Sequence, residues 1–103
     1  MSAIALGLKS GDVSKKFIVQ GDYQTIFFWG AFDGATLKLQ LSPIGSLDDE
    51  EWFDVTAYTK TNAGTGKYKA IEVGQRFSGV YARWKVEGGT ANTLVNGALV
   101  GVR

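Results

Sequence analysis

Three groups of side chains in this chain could do chemistry. The first is the acidic run Asp48, Asp49, Glu50 and Glu51, which could hold a hard cation. Calcium takes roughly six to eight oxygens converging from alternate positions, usually with a Gly that lets the loop turn tightly. Four consecutive acids diverge and lack that spacing, so the run reads as a solvated loop or a helical turn. The second group is Asp33, Asp54 and Glu72. Glycoside hydrolysis needs two carboxyls held roughly 5–10 Å apart across a cleft, and nothing in their spacing pairs these three. The third is Tyr81-Ala82-Arg83-Trp84-Lys85, where basic and aromatic residues interleave as they do on nucleic-acid-binding sheets. Strand alternation sets Trp84 opposite Arg83 and Lys85 and leaves Tyr81 as the aromatic on their face. With a net charge of +1, a Tyr81–Arg83–Lys85 ladder suits a protein interface, where Tyr and Arg are enriched, better than nucleic acid.

Residue types that are missing narrow the field further. The chain has no Cys and no His, which removes disulfides, cysteine nucleophiles, thiolate or imidazole metal sites and Ser-His-Asp triads. No enzyme activity, cofactor or metal site is expected. No apolar run approaches the roughly 20 residues of a membrane helix, and the N-terminus lacks the basic start and long apolar middle of a signal peptide. The expectation is a protein made and left in the cytoplasm of its producer, with no membrane and no nucleic-acid partner. Charge is uneven along the chain: four Lys against eight acids over residues 1–59, and seven bases against Glu72 and Glu87 thereafter. Such asymmetry favours association of unlike surfaces if folding segregates it.

The elements that must position these groups are short strands. A chain of 103 residues with 14 Gly and one Pro is one domain with many turns. Residues 80–87 alternate cleanly, with Val80, Ala82, Trp84 and Val86 on one side. Gly88-Gly89 then turns the chain toward a second extended run, Leu94 to Val102, read as a returning hairpin partner. Residues 36–42 alternate equally well, with Leu37, Leu39 and Leu41 inward, and Pro43 ends the strand. Residues 23–29 carry bulk on both faces: Tyr23, Thr25, Phe27 and Trp29 on one, Gln24, Ile26 and Phe28 on the other. A central strand covered on both sides would look like this, as would one with a face against a partner. Core packing accounts for most of these residues, with at least one aromatic left for a contact. Trp29, Phe32 and Trp52 lie near loops, where exposed aromatics could stack on sugar rings. Ile4, Leu6 and Leu8 repeat at period two and read as an edge strand or, preferably, an arm docked on a neighbour.

Seven to eight strands, no helical apolar periodicity and turn signals at about 8–12 residue spacing predict an all-β, single-domain antiparallel sandwich, jelly-roll or immunoglobulin-like. Residues 1–15 are expected to form the arm and residues 16–103 the sandwich.

Two passages carry a resemblance. Gly34-Ala35-Thr36-Leu37-Lys38-Leu39-Gln40-Leu41-Ser42-Pro43 with Trp52-Phe53-Asp54-Val55 looks like a "G-x-T-hydrophobic-x-L-x-x-S-P-x-G … W-x-x-V" hairpin. Ala82-Arg83-Trp84-Lys85-Val86-Glu87-Gly88-Gly89-Thr90 resembles a "hydrophobic-R-hydrophobic-x-V-x-G-G-T" strand and turn, and Gly21-Asp22-Tyr23 a preceding Gly-Asp-aromatic strand. Together these are similar to short β-rich virion proteins of tailed bacteriophages, over residues 16–102. The chain departs from that pattern at Ile44, where an acid is usual, and in a longer, more acidic loop. The resemblance implies a structural protein of the virion: a capsid decoration (cement) protein bound to the major capsid protein, ahead of a tail, neck or fibre component. It also implies a homo-oligomer, with a trimer favoured. The alternative from another class is a carbohydrate-binding sandwich module. Contact residues are expected at Ile4, Leu6 and Leu8, at Tyr81, Arg83 and Lys85, and at Asp48, Asp49, Glu50 and Glu51.

Overall fold

The structure, a computed structural model, describes residues 2–46 and 48–102; Met1, Leu47 and Arg103 lie outside them. Eight strands form: β1 (Ser2–Leu8), β2 (Phe17–Ile18), β3 (Tyr23–Ala31), β4 (Ala35–Ser42), β5 (Phe53–Thr61), β6 (Lys67–Gln75), β7 (Tyr81–Gly88) and β8 (Leu94–Val102). A 3-10 turn occupies Asp49–Glu51. Among the described residues no helix is long and apolar enough to cross a membrane.

The strands make two antiparallel four-stranded sheets, one ordered β1-β8-β3-β6 and the other β2-β7-β4-β5. The nesting is regular: β1 pairs with β8, β2 with β7, β3 with β6 and β4 with β5. The chain is therefore one long antiparallel ribbon, with the β4–β5 hairpin at its tip, rolled so that on each side of that tip successive strands alternate between sheets. Eight strands in this order are a jelly roll, which separates the two sandwich types left open by strand count. The β4–β5 hairpin in the first of the two resembling passages is present, with Gln40 opposite Asp54. The expected hairpin over residues 80–102 is not: β7 and β8 lie in different sheets, and the chain after Gly88 crosses from one layer to the other.

The core lies between the sheets. Ile26 and Phe28 from β3, Leu37 and Leu39 from β4, Trp84 and Val86 from β7, and Val95 and Leu99 from β8 are essentially fully buried. Trp84 meets Phe28 edge-on, with ring centroids 5.5 Å apart and planes at 85°, the arrangement aromatic quadrupoles prefer. It also lies flat against the backbone of Gly97, where an added Cβ would come 2.7 Å from the indole. That approach, rather than any turn, demands a glycine there.

Two expectations need correction. Residues 2–8 are not an arm: they form the edge strand β1, paired with β8 from Ser2↔Val100 to Leu8↔Val95. Leu8 is not a contact residue, since it is buried in the core. A bulge between Ala5 and Leu8, with Gly7 at φ 69°, breaks the period-two alternation that put Leu8 on the side of Ile4 and Leu6.

Candidate interaction surfaces

The outward face of the β2-β7-β4-β5 sheet carries the ladder and the acidic run, and it brings them together. Arg83 is buried: its Nε donates to Gln40 Oε1 at 2.8 Å, a terminal guanidinium N–H donates to Asp49 Oδ1 at 2.8 Å, and the guanidinium sits 4.5 Å from the Trp52 ring centroid. Asp48 caps the 3-10 turn, its side chain accepting from the Glu50 N–H. Trp52 Nε1 donates to the Ser46 carbonyl, 2.8 Å away. The loop between β4 and β5 is thereby folded over the sheet and pinned by Arg83. Lys38 bridges Asp54 (2.8 Å) and Glu87 (2.5 Å), Gln40 donates to Asp54 Oδ1 (2.6 Å), and Lys85 lies 3.6 Å from Glu87.

This network moves proton affinities in the expected directions. Hydrogen bonds from Gln40 and then Lys38 hold the Asp54 carboxyl below the usual carboxylate range. The Arg83 guanidinium does the same for Asp49. Hydrogen bonding to Asp54 and Glu87 pushes the Lys38 ammonium up. Tyr81 is half-buried, with Lys16 Nζ 5.6 Å from its ring centroid. Alternation thus identified a genuine polar face, but its side chains are engaged with one another. Arg83 in particular is an internal tie and not an open contact. Asp48, Glu50 and Glu51 stay at the surface in positions that do not converge, and among the described residues no group of three acids is placed to hold a metal ion.

The outward face of the β1-β8-β3-β6 sheet has the opposite character. Among the described residues, twelve large apolar side chains stand exposed, and eight of them point outward from this one sheet: Ile4 and Leu6 on β1, Leu94 and Val100 on β8, Tyr23 and Phe27 on β3, and Ile71 and Val73 on β6. Register turns them into rows. Ile4 is opposite Ala98, Ala98 opposite Phe27 and Phe27 opposite Ile71, so one apolar row crosses all four strands. Beside it Phe27, Trp29, Lys69 and Ala98 line a shallow groove of about 490 Å³. The outward positions carry no carboxylate. Their charges are Lys67 and Lys69 at one end of β6, with Arg76 stacked 4.9 Å from the Tyr23 ring at the other. Glu72 points the other way and pairs with Lys60.

Exposure along this face runs from 36% at Phe27 to 68% at Leu6 and Val73. With side chains of about 200 Å² apiece, the eight present roughly 800 Å², one partner's share of a standard protein–protein interface. Ile4 and Leu6 were expected as contacts, and at least one aromatic of residues 23–29 was left for one; Ile71, Val73, Leu94 and Val100 were not expected. The signal lay in β6 and β8, where apolar residues occur at both parities (Ile71 and Val73 beside Tyr68 and Ala70; Leu94 and Val100 beside Val95 and Leu99).

The sandwich is also open along one side. Between β1 and residues 14–17 runs a cleft of about 370 Å³ whose lining includes Ala3, Ala5, Phe17 and Trp84. The indole N–H of Trp84, itself buried, has no hydrogen-bond partner among the described residues.

Neither a family model nor a curated protein sequence matches the chain. Among solved structures it is similar to the Yersinia pseudotuberculosis-derived mitogen, at 15% identity over 100% of this chain and 86% of that one, with a TM-score of 0.46.

Proposed function

We propose that the protein is a non-enzymatic structural module of a tailed-bacteriophage virion, a capsid decoration protein that docks on the shell through the outward face of the β1-β8-β3-β6 sheet. One observation carries the reading: of two outward faces, one is a self-satisfied polar network and the other an apolar surface of interface size. Folding a sandwich requires one apolar face per sheet, so a second one on the same sheet is there for contact. A jelly roll serves viral capsids, lectins and cupins alike, so the fold alone does not select among them; the face and the resemblance of residues 34–43, 52–55 and 82–90 support the virion reading. The partner surface is a protein patch that is apolar at its centre and bordered by carboxylates, complementary to Lys67, Lys69 and Arg76. The major capsid protein is the partner proposed, and the virion the location, reached after synthesis in the host bacterial cytoplasm.

Co-sedimentation with expanded shells of the encoding phage tests this. Binding at stoichiometric copy number is expected, weakened about ten- to a hundredfold by Val73→Asp, which buries a charge at the contact, with no change in melting temperature. Full-strength binding by Val73→Asp overturns the choice of face. A reproducible glycan-array hit without shell binding overturns the function in favour of a sugar-binding module.

A further inference from the structure

We infer that β1 is the seam of a two-fold homodimer, in which the β1 strands of two copies pair antiparallel and join their sheets into one of eight strands. The four edges of the sandwich differ in how they are protected. β2 is two residues long. β5 and β6 each show a register shift against their neighbours and carry charges, and the Lys60–Glu72 ion pair ties these two edges together across one side of the sandwich. Short length, bulges and charge are the devices that keep sheet edges from pairing. Over residues 2–5 β1 has none of them: it is uncharged, free of Pro, regularly paired to β8 on one side, and among the described residues without a neighbouring strand on the other; its own register shift begins only after Ala5 and leaves Leu6 exposed on the outward face.

The strand is also self-complementary. Antiparallel pairing centred on Ala5 sets Ile4 opposite Leu6 of the second copy, and Leu6 opposite that copy's Ile4. Both aliphatic pairs then fall on the apolar outward face, with small Ala3 and Ala5 toward the cleft. Direct cross-strand pairs of this kind are the unit of sheet stabilisation. A β6–β6 seam centred on Ile71 would instead set Lys69 of each copy opposite Val73 of the other, a charge against an aliphatic side chain. Ile4 and Leu6, 61% and 68% exposed, supply only roughly 250 Å² per copy, well below the ~800 Å² of a standard partner. The dimer is therefore weak, with a dissociation constant on the order of 100 µM, and gains its occupancy where copies are held side by side. Lys15 at the cleft rim lies beneath the seam in both copies, so added salt tightens association by screening like charges.

Sedimentation equilibrium of the full chain from about 10 µM to 2 mM tests this. A reversible monomer–dimer equilibrium that strengthens with salt is expected; a strict monomer throughout, or a closed trimer, overturns the seam. Leu6→Lys should weaken the dimer at least tenfold without changing the melting temperature, and Val73→Lys should leave it intact. The reverse pattern would mean that copies meet through the face and not the edge. Because the chain has no Cys, mixing Ile4→Cys with Leu6→Cys under mild oxidation should give chiefly the mixed disulfide, and a random mixture of the three products refutes the antiparallel register. Leu6→Lys in self-association and Val73→Asp in shell binding report separately, so either reading can fail alone.

Discussion

Replacing Arg83 by methionine should lower the unfolding free energy by about 2–4 kcal/mol while leaving protein–protein contacts untouched. The buried hydrogen bond from Nε to Gln40 at 2.8 Å is charge-assisted, a class that contributes about 1.5–3 kcal/mol. Stacking at 4.5 Å over Trp52, which is itself buried, adds about 1–2 kcal/mol for a cation held away from water. Methionine keeps the apolar stem and so returns part of the packing. The Asp49 pairing is discounted because that carboxylate is 73% exposed and screened by solvent. For a domain of this size such a loss lowers the melting temperature by roughly 10–25 °C. Urea titration followed by far-ultraviolet circular dichroism reads it as a shifted midpoint at constant slope. In a double-mutant cycle with Asp49→Asn the coupling should be small, whereas Gln40→Leu should couple strongly to Arg83→Met. A change under about 1 kcal/mol, accompanied by loss of partner binding, would refute the argument and return Arg83 to the role of an exposed contact.

Two other predictions follow from the same geometry. Gly97→Ala should cost about 1–3 kcal/mol by forcing the indole of Trp84 aside, and Trp84→Phe in that background should recover part of the loss; urea midpoints of the three variants check both. The pH profile of stability should be flat between about pH 5 and 9, the chain having no His and no Cys. Asp49 and Asp54 titrate below their ordinary value in the folded state, so their contribution is present above about pH 4 and is lost as pH falls through the folded values. Lys38, raised by Asp54 and Glu87, and Tyr58, raised by burial, contribute stability that is complete below about pH 10 and lost as pH rises through their folded values. Thermal melts from pH 2 to 11 test this, and a transition near pH 6.5 would contradict it.

Period-two patterns told the truth about single strands and failed on how strands meet. The inward sets of β4 and β7 were legible because each mixes apolar with charged residues, so parity marks the face. Leu37, Leu39, Trp84 and Val86 are core as that parity predicts, whereas β3, with bulk on both faces, gave no such mark for Ile26 and Phe28. The crossing after Gly88 was not legible, because a Gly-Gly turn serves a hairpin and an inter-sheet crossover equally well; which one forms depends on β1 and β3 claiming β8. Leu8 was misplaced for a local reason, a bulge at Gly7 that alternation does not encode. Arg83 was misplaced for a distant one. Its face was correct, but the segment that covers it comes from residues 48–52, and only opposite charge at Asp49 hinted at the contact.

The apolar outward face is the feature that folding alone leaves without a purpose. A sandwich is stabilised by what lies between its sheets, and here aromatic and aliphatic residues from six strands supply that layer. Ile4, Leu6, Ile71 and Val73 lie outside it and stay half or more exposed, so they add little to the stability of one copy while raising the hazard of unselected association. The positive rim of Lys67, Lys69 and Arg76 acts on that hazard. It repels copies that approach face to face, and it attracts a surface carrying carboxylates. The uncharged β1 edge has no such guard. Under the two proposals face and edge would therefore have separate occupants, a foreign acidic-rimmed surface beneath the sheet and a second copy beside it, as in a module that tiles a larger protein surface.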